Sequence, residues 1–148
     1  MREYFGNIWA EDADAYVVTT NGIVRHNKLV MGAGIAKQVA QMYPTMPVLA
    51  GQHVTEKGNV PGIFKMSRHT IVTYPTKHDY KDSFSDIKLI SDGAEKLVKF
   101  ADEHHWKKIV MPRPGVGFGH LKWEDVKNVI GPVFDNRFVV MEFRRKVW

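Results

Sequence analysis

The chain contains no cysteine. That excludes disulfides and thiolate chemistry, and makes a cytoplasmic protein the simplest reading. It also lacks any apolar run approaching the ~20 residues that a membrane span requires, so no membrane partner is expected. The amino terminus, MREYFGNIW, has no apolar stretch between its basic residue and a small-residue cleavage site, and no signal peptide is read there. No internal repeat, low-complexity tract or long charged linker divides the chain. Spaced histidine pairs of the H-x-x-x-H or H-E-x-x-H kind are missing. His104-His105 are adjacent near a helix end and point in different directions, so favourable charge at a helix C-terminus explains them. No metal or other cofactor is expected.

What remains is 148 residues, one domain spanning 1–148 and long enough for a single sizeable core without covalent staples. The net charge of +5 has two readings: a diffuse solubilising surface, or a field that attracts polyanions such as nucleic acid. The basic residues are spread out, and RRK at 144–146 is their densest cluster.

The organisation is alternation. AYVVTT (15–20) is a short β-branched run, followed by a loop and a helix in which Ile35, Val39 and Tyr43 recur at helical spacing until Pro44 stops it. Residues 44–62, with three prolines and three glycines, read as mostly loop. GIFKM and TIVTY read as two strands joined around SRH, the second closed by Pro75. The longest helix lies within 83–106. Ile87, Ile90, Ala94, Leu97 and Ala101 share one of its faces, Ser83 and Asp86 resemble an N-terminal capping pair, and Gly93 weakens it locally by roughly 1 kcal/mol. KKIVMP (107–112) is a strand, KWEDVKNVI a short helix ended by Gly131-Pro132, and RFVVMEF (137–143) a final strand. Strands alternating with helices predict an α/β fold with a mixed, largely parallel sheet and helices packed on its faces.

Two glycine loops stand out. Gly32-Ala33-Gly34 precedes the first helix, and PGVGFG (114–119) follows the strand KIVMP and leads into the helix beginning near Lys122. In an α/β sheet that edge is where ligands bind, because free helix amides and the positive end of the helix dipole converge there. Glycine lets backbone N–H groups reach phosphate oxygens and adopt positive φ. Two such loops suit a diphosphate, whereas each taken singly is more often a tight turn. The Rossmann fingerprint lacks its third glycine, since Ile35-Ala36-Lys37 follow Gly34, and no P-loop pattern occurs.

Taken in order and spacing, GNIW, VVTTN, MGAGIA, YPTK and MPRPGVGFGHLKW resemble the macrodomain family across essentially the whole chain. The similarity is closest to the branch holding the terminal ADP-ribose glycohydrolase and the DarG-type antitoxin, where MGxGIA, PTK and PRxGxGxGxLxW recur. The resemblance implies a three-layer α/β/α fold that binds ADP-ribose. Gly32, Ala33, Gly34 and Ile35 would then line the first phosphate loop. Pro114, Gly115, Val116, Gly117, Phe118 and Gly119 would line the second, between the diphosphate and the distal ribose. Asn7, beside Ile8, stands where the family usually has an aspartate that accepts from the adenine amino group; its amide oxygen still accepts, without charge assistance. Asn21 would approach the distal ribose, although GIVRHNKLV lengthens the segment before MGAGIA and lets Asn27 compete for that role. Phe143 stands where a family aromatic stacks on adenine, or serves as an ordinary core residue of the last strand.

The resemblance also aligns Lys77 with the lysine this branch is thought to use for removing ADP-ribose. A lysine amine can attack the anomeric carbon of ribose or its ring-opened aldehyde, but only when neutral, and an unperturbed lysine is almost wholly protonated at pH 7. Burial beside cations would lower its pKa, and His78, Lys81 and Arg113 are the candidate neighbours. A charged Lys77 would instead stabilise a phosphate or a leaving group. The ester-cleaving members carry an aspartate in the second glycine loop, where this sequence has Gly119-His120. The DarG-like pattern lacks that acid and acts on ADP-ribose attached to DNA, so ADP-ribosylated DNA is favoured over protein as partner; a toxin partner is left open. His120 is a further candidate acid or base. Trp106 and Trp123 fit packing positions. The expected function is removal of ADP-ribose from nucleic acid. Capture of ADP-ribose without turnover and ADP-ribose 1''-phosphate processing (Appr-1-p) are the alternatives.

Overall fold

The computed structural model describes residues 1–143, so the RRK cluster at 144–146 lies outside the described residues. The strands are β1 (Arg2–Phe5), β2 (Ala15–Thr20), β3 (Val24–Arg25), β4 (Lys28–Leu29), β5 (Gly62–Lys65), β6 (Thr70–Pro75), β7 (Ile109–Pro112) and β8 (Phe138–Glu142). The helices are α1 (Gly34–Met42), α2 (Met46–Lys57), α3 (Ile87–His104) and α4 (Trp123–Ile130). Six strands form one sheet in the order β1-β8-β7-β2-β6-β5. Its neighbours pair in parallel except for β5, which is antiparallel to β6. A separate hairpin joins β3 to β4.

Side-chain alternation builds the layers. Ala15 and Val17 of β2 face one side, Tyr16 and Val18 the other, and all four are buried, as a central strand covered on both faces requires. On the first side, Ile90, Ala94 and Leu97 of α3 and Val126 and Ile130 of α4 pack on Val17, Val72, Met111 and Val140. On the second, Val39 of α1 and Met46 and Ala50 of α2 pack on Val18, Ile71, Val110 and Val139. The result is the expected three-layer α/β/α arrangement with a mixed, largely parallel sheet.

Local expectations fare unevenly. Residues 44–62 are not mostly loop: α2 occupies 46–57. Pro47 sits in its first turn, where no intrahelical N–H is needed, and Gly58 ends it. Gly51 lets it lie against the β3–β4 hairpin, since a Cβ there would come within 2.7 Å of the Asn27 carbonyl. The prolines and glycines thus punctuate a helix instead of excluding one. Three short strands carry too little periodicity to read from sequence: β1, whose four residues are exposed, and the two-residue strands β3 and β4 of the hairpin. At α3, Asp86 is itself the N-cap, accepting from the Lys88 amide at 2.9 Å, so the Ser83–Asp86 pair is not the cap. Ile87, one residue into the helix, is 38% exposed and does not share the buried face. Gly93 has a packing reason, because a Cβ there would lie 2.6 Å from the ring of Tyr74. That ring is buried, and its hydroxyl donates to the Ile90 carbonyl at 2.6 Å. Among the described residues no helix is long and apolar enough to cross a membrane.

Replacing Asp86 by alanine removes the α3 cap and is expected to cost about 1 kcal/mol, a fall in Tm of roughly 2–4 °C for a chain of this size. The hydrogen bond from His78 holds the Asp86 carboxyl below its usual range, with further help from the Lys88 and Leu89 amides. Its contribution is therefore fully present above the unfolded carboxyl value of about 4 and is lost as pH falls through the lower folded value. Thermal melts of the two proteins against pH should show the Tm gap closing in acid.

Candidate functional site

The carboxyl ends of β7, β2 and β6 lie side by side at the middle of the sheet. The chain leaves β2 toward α1 and α2 on one face, then crosses from β6 to β7 through α3 on the other, so the loops diverge above β2 and leave a crevice. Asn21 follows β2, Thr76 and Lys77 follow β6, and the second glycine loop follows β7. Together with the first glycine loop they line a cleft of about 710 Å³, within the range of small-ligand sites.

The first loop leads straight into α1. Gly34 opens the helix at φ +57, and Ala33 before it offers no side chain to cap the first-turn amides. Those amides have no intrahelical acceptor, and they belong to Gly34, Ile35 and Ala36, all cleft-lining residues. Such a helix start favours an anion. Phe118 reaches across from the second loop: its ring would be 3.7 Å from a Cβ at Gly34. The two loops therefore meet over the cleft.

The second loop turns through a short 3-10 segment at Gly117–Gly119 and is closed by the Leu121 amide donating to the Gly115 carbonyl at 3.0 Å. Ser85 braces it from below. Its amide donates to the Gly119 carbonyl at 2.9 Å, and a Cβ at Gly119 would collide with Ser85 Oγ. That hydroxyl is buried and finds no hydrogen-bond partner within the protein.

Lys77 projects from the end of β6. Its Nζ donates to the carbonyls of Asp82 at 2.8 Å and Phe118 at 3.0 Å, bridging the segment before α3 to the second glycine loop. The cationic neighbours expected from sequence are engaged elsewhere. His78 pairs with Asp86 at 2.7 Å. Arg113 pairs with Glu142 at 3.3 Å and lies over the Trp123 ring. Lys81 sits over Tyr80, 5.8 Å from its centroid. The immediate partners of the amine are carbonyl oxygens, because Lys77 spans two loops whose backbones face it.

Of the residues singled out from sequence, Asn21, Gly32, Ala33, Gly34, Ile35, Lys77, Gly115, Val116, Gly117, Phe118 and Gly119 line the cleft together. Asn21 is tied at both ends, Nδ2 donating to the Val30 carbonyl and Oδ1 accepting from the Ile23 amide, each at 2.9 Å. Asn27 sits at the turn of the β3–β4 hairpin, with φ +64, and is not among the lining residues. Four others stand outside the lining. Asn7 caps a short 3-10 turn, accepting from the Trp9 amide at 3.0 Å. Ile8 is buried in the α1/α2-side core, Pro114 is buried at the base of its loop, and Phe143 is 68% exposed beyond β8. Trp106 and Trp123 both pack against the α3/α4-side core.

The cleft also recruits Thr76, Tyr80, Asp82, Ser83 and Ser85, which sequence reading missed. The signal available was positional: this polar and aromatic stretch lies between the end of a buried strand and a helix N-terminus. His120 lines the cleft too, with its ring edge-on to Phe84. Among the described residues no group of three or more histidine, aspartate or glutamate side chains is placed to hold a metal ion.

A family model described as Macro domain matches residues 25–130. The DNA ADP-ribosyl glycohydrolase of Mycobacterium tuberculosis is 30% identical over 138 residues, covering 87% of this chain and 37% of the relative. The chain thus spans little more than a third of that curated relative's length. Among solved structures, the macrodomain of Mycobacterium tuberculosis DarG aligns with a TM-score of 0.79 at 25% identity, over 94% of this chain and 96% of the other. The macrodomain of Thermus aquaticus DarG aligns with a TM-score of 0.77 at 25% identity, over 95% of each.

The contact between Ser85 and Gly119 makes a sharp test of the loop's packing. Gly119→Ala should destabilise the protein by about 1–3 kcal/mol, as overpacking does. Ser85→Ala alone should be neutral or slightly stabilising, because it deletes a buried hydroxyl without a partner. The double variant should recover much of the loss, giving a coupling energy in denaturant melts that independent sites would not show.

Proposed function

The chain belongs to the macro-domain family, and from that premise we propose that it binds ADP-ribose in the cleft and removes it from ADP-ribosylated nucleic acid, with Lys77 as the reacting group. The observation that carries the reading is the convergence of Lys77 with both glycine loops in one cleft. The diphosphate is held by the α1 amides and the second loop, the distal ribose lies toward Asn21 and Lys77, and the adenine extends toward the β1/β8 side, where Asn7 and Phe143 stand.

In the reaction, the neutral Lys77 amine attacks the anomeric carbon as the bond to the modified base breaks, and the leaving group takes the electron pair and a proton. Water then cleaves the carbon–nitrogen bond to lysine, giving free ADP-ribose and the regenerated amine. Two observations support nucleic acid as the carrier. The relative of known activity is named as acting on DNA. Tyr80 at the cleft is flanked by Arg25, 5.3 Å from its ring centroid, and by Lys81, while Phe84 nearby is 64% exposed. A half-buried ring flanked by cations, with a second, exposed ring nearby, is an arrangement that suits stacking on a base and pairing with its phosphate.

A second reading, capture of ADP-ribose without turnover, is favoured by the carbonyl partners of Lys77, which supply none of the cationic neighbours that would promote a neutral amine. One pair of measurements separates the two. Lys77→Ala is expected to slow release of ADP-ribose from a modified oligonucleotide by about 100-fold or more, while calorimetry shows the Kd for ADP-ribose within about threefold of wild type. Equal turnover by the variant removes Lys77 from the reaction. Tight binding with no turnover by the wild type identifies a capture module, and absence of ADP-ribose binding defeats both readings.

A further inference from the structure

Beyond the cleft, one side chain acts on Lys77 from behind. Asn59, two residues past the end of α2, donates from Nδ2 to the Lys77 carbonyl at 3.0 Å. The neighbouring backbone shows why that carbonyl needs a side-chain partner. Past the ends of β2 and β6 the ladder continues with the Thr76 amide donating to Thr20 at 3.0 Å and the Gly22 amide donating to the His78 carbonyl at 3.1 Å. Lys77's own amide reaches the same Thr20 carbonyl only at 3.4 Å. The Lys77 carbonyl lies between these bonds, and Asn59 supplies its donor.

The amide is wedged in place. A Cβ at Gly22 would lie 2.8 Å from both Cγ and Nδ2 of Asn59 and 3.0 Å from the His78 carbonyl, so the turn after β2, the Asn59 amide and the 77–78 backbone are packed as one unit. Asn59 Oδ1 is buried with no partner in the protein, an arrangement that costs free energy. A residue kept only to fill space would avoid that cost, whereas one kept for its N–H donor accepts it.

Resting on the function proposed above, we propose that Asn59 is the positioning residue of Lys77: its amide fixes the 77–78 backbone against the turn that carries Asn21, and so sets where the lysine amine meets the distal ribose. A long, flexible side chain finds a reactive geometry only if its Cα is held, and displacements of about 1 Å cost on the order of 100-fold in rate.

The test uses Asn59→Asp, which keeps the shape and replaces the donor by an acceptor facing a carbonyl, with Asn59→Ala as the second variant should the first not fold. Two readouts are taken: kcat on an ADP-ribosylated oligonucleotide beside the Kd for ADP-ribose, and the rate at which limiting acetic anhydride labels Lys77 relative to the other lysines, read by mass spectrometry. The expected result is kcat lowered about tenfold or more with the Kd for ADP-ribose within about twofold, and Lys77 labelling accelerated at least about threefold as the amine leaves its two carbonyls. Gly22→Ala, pressing on Asn59 from the other side, should shift both readouts the same way. An unchanged Lys77 labelling rate in a folded Asn59 variant overturns the proposal whatever the turnover. If the wild type shows no turnover, the functional reading fails, and the labelling comparison still decides whether Asn59 positions Lys77.

Discussion

Burial of β2 on both faces is the constraint from which the site follows. A strand that places Val17 in one core and Val18 in the other must have a hydrogen-bonded neighbour on each side and a helical layer above and below. Its neighbours are β6 and β7. Because the chain reaches them by crossovers on opposite faces, the three loops leaving this part of the sheet diverge above β2 and touch only at a few points, such as the Gly22–His78 and Lys77–Phe118 hydrogen bonds. The cleft is the gap they leave, and the residues at the three strand ends become its walls.

Within that frame the cleft-lining side chains Asn21, Lys77 and Ser85 are held mainly by backbone groups. Asn21 spends both ends of its amide on the chain that follows it, the Lys77 amine rests on two carbonyls, and Ser85 holds the second glycine loop through a main-chain bond. Such wiring uses short-range directional bonds to carry rigidity from the sheet to the cleft. Glycines shape both loops, and one ring, Phe118, reaches from the second loop to Gly34 of the first.

How much could be read beforehand depended on the kind of signal. Elements that bury one or both faces announce themselves: β2 spans the same residues, 15–20, that its β-branched run predicts, and α3 shows its apolar stripe from Ile90 to Ala101. Elements without a buried stripe do not. β1 is exposed along its length, and α2 hides among prolines and glycines that mark its ends and its contact with the hairpin. At the site, both glycine loops and Lys77 line the cleft; the loops were legible from residue type and their place before helices, and Lys77 from the resemblance of its YPTK motif to the family. Ser85, Asp82 and Tyr80 were not, since nothing in a polar loop says which of its side chains turns inward.

Local chemistry, then, determined by sequence alone that this is an α/β chain without thiols, with two glycine loops at helix-bearing strand ends and a lysine after a buried strand; these follow from side-chain type and period, which neighbouring residues suffice to express. Only the tertiary structure decided which residues stand beside one another. It paired His78, Lys81 and Arg113 with partners other than Lys77, placed Asn27 at a hairpin turn outside the cleft lining, and brought Asn59 and Phe118 to opposite ends of the same lysine. Those outcomes depend on strand order and on the handed crossovers of a twisted sheet. They join residues distant in sequence by geometry that no local pattern records.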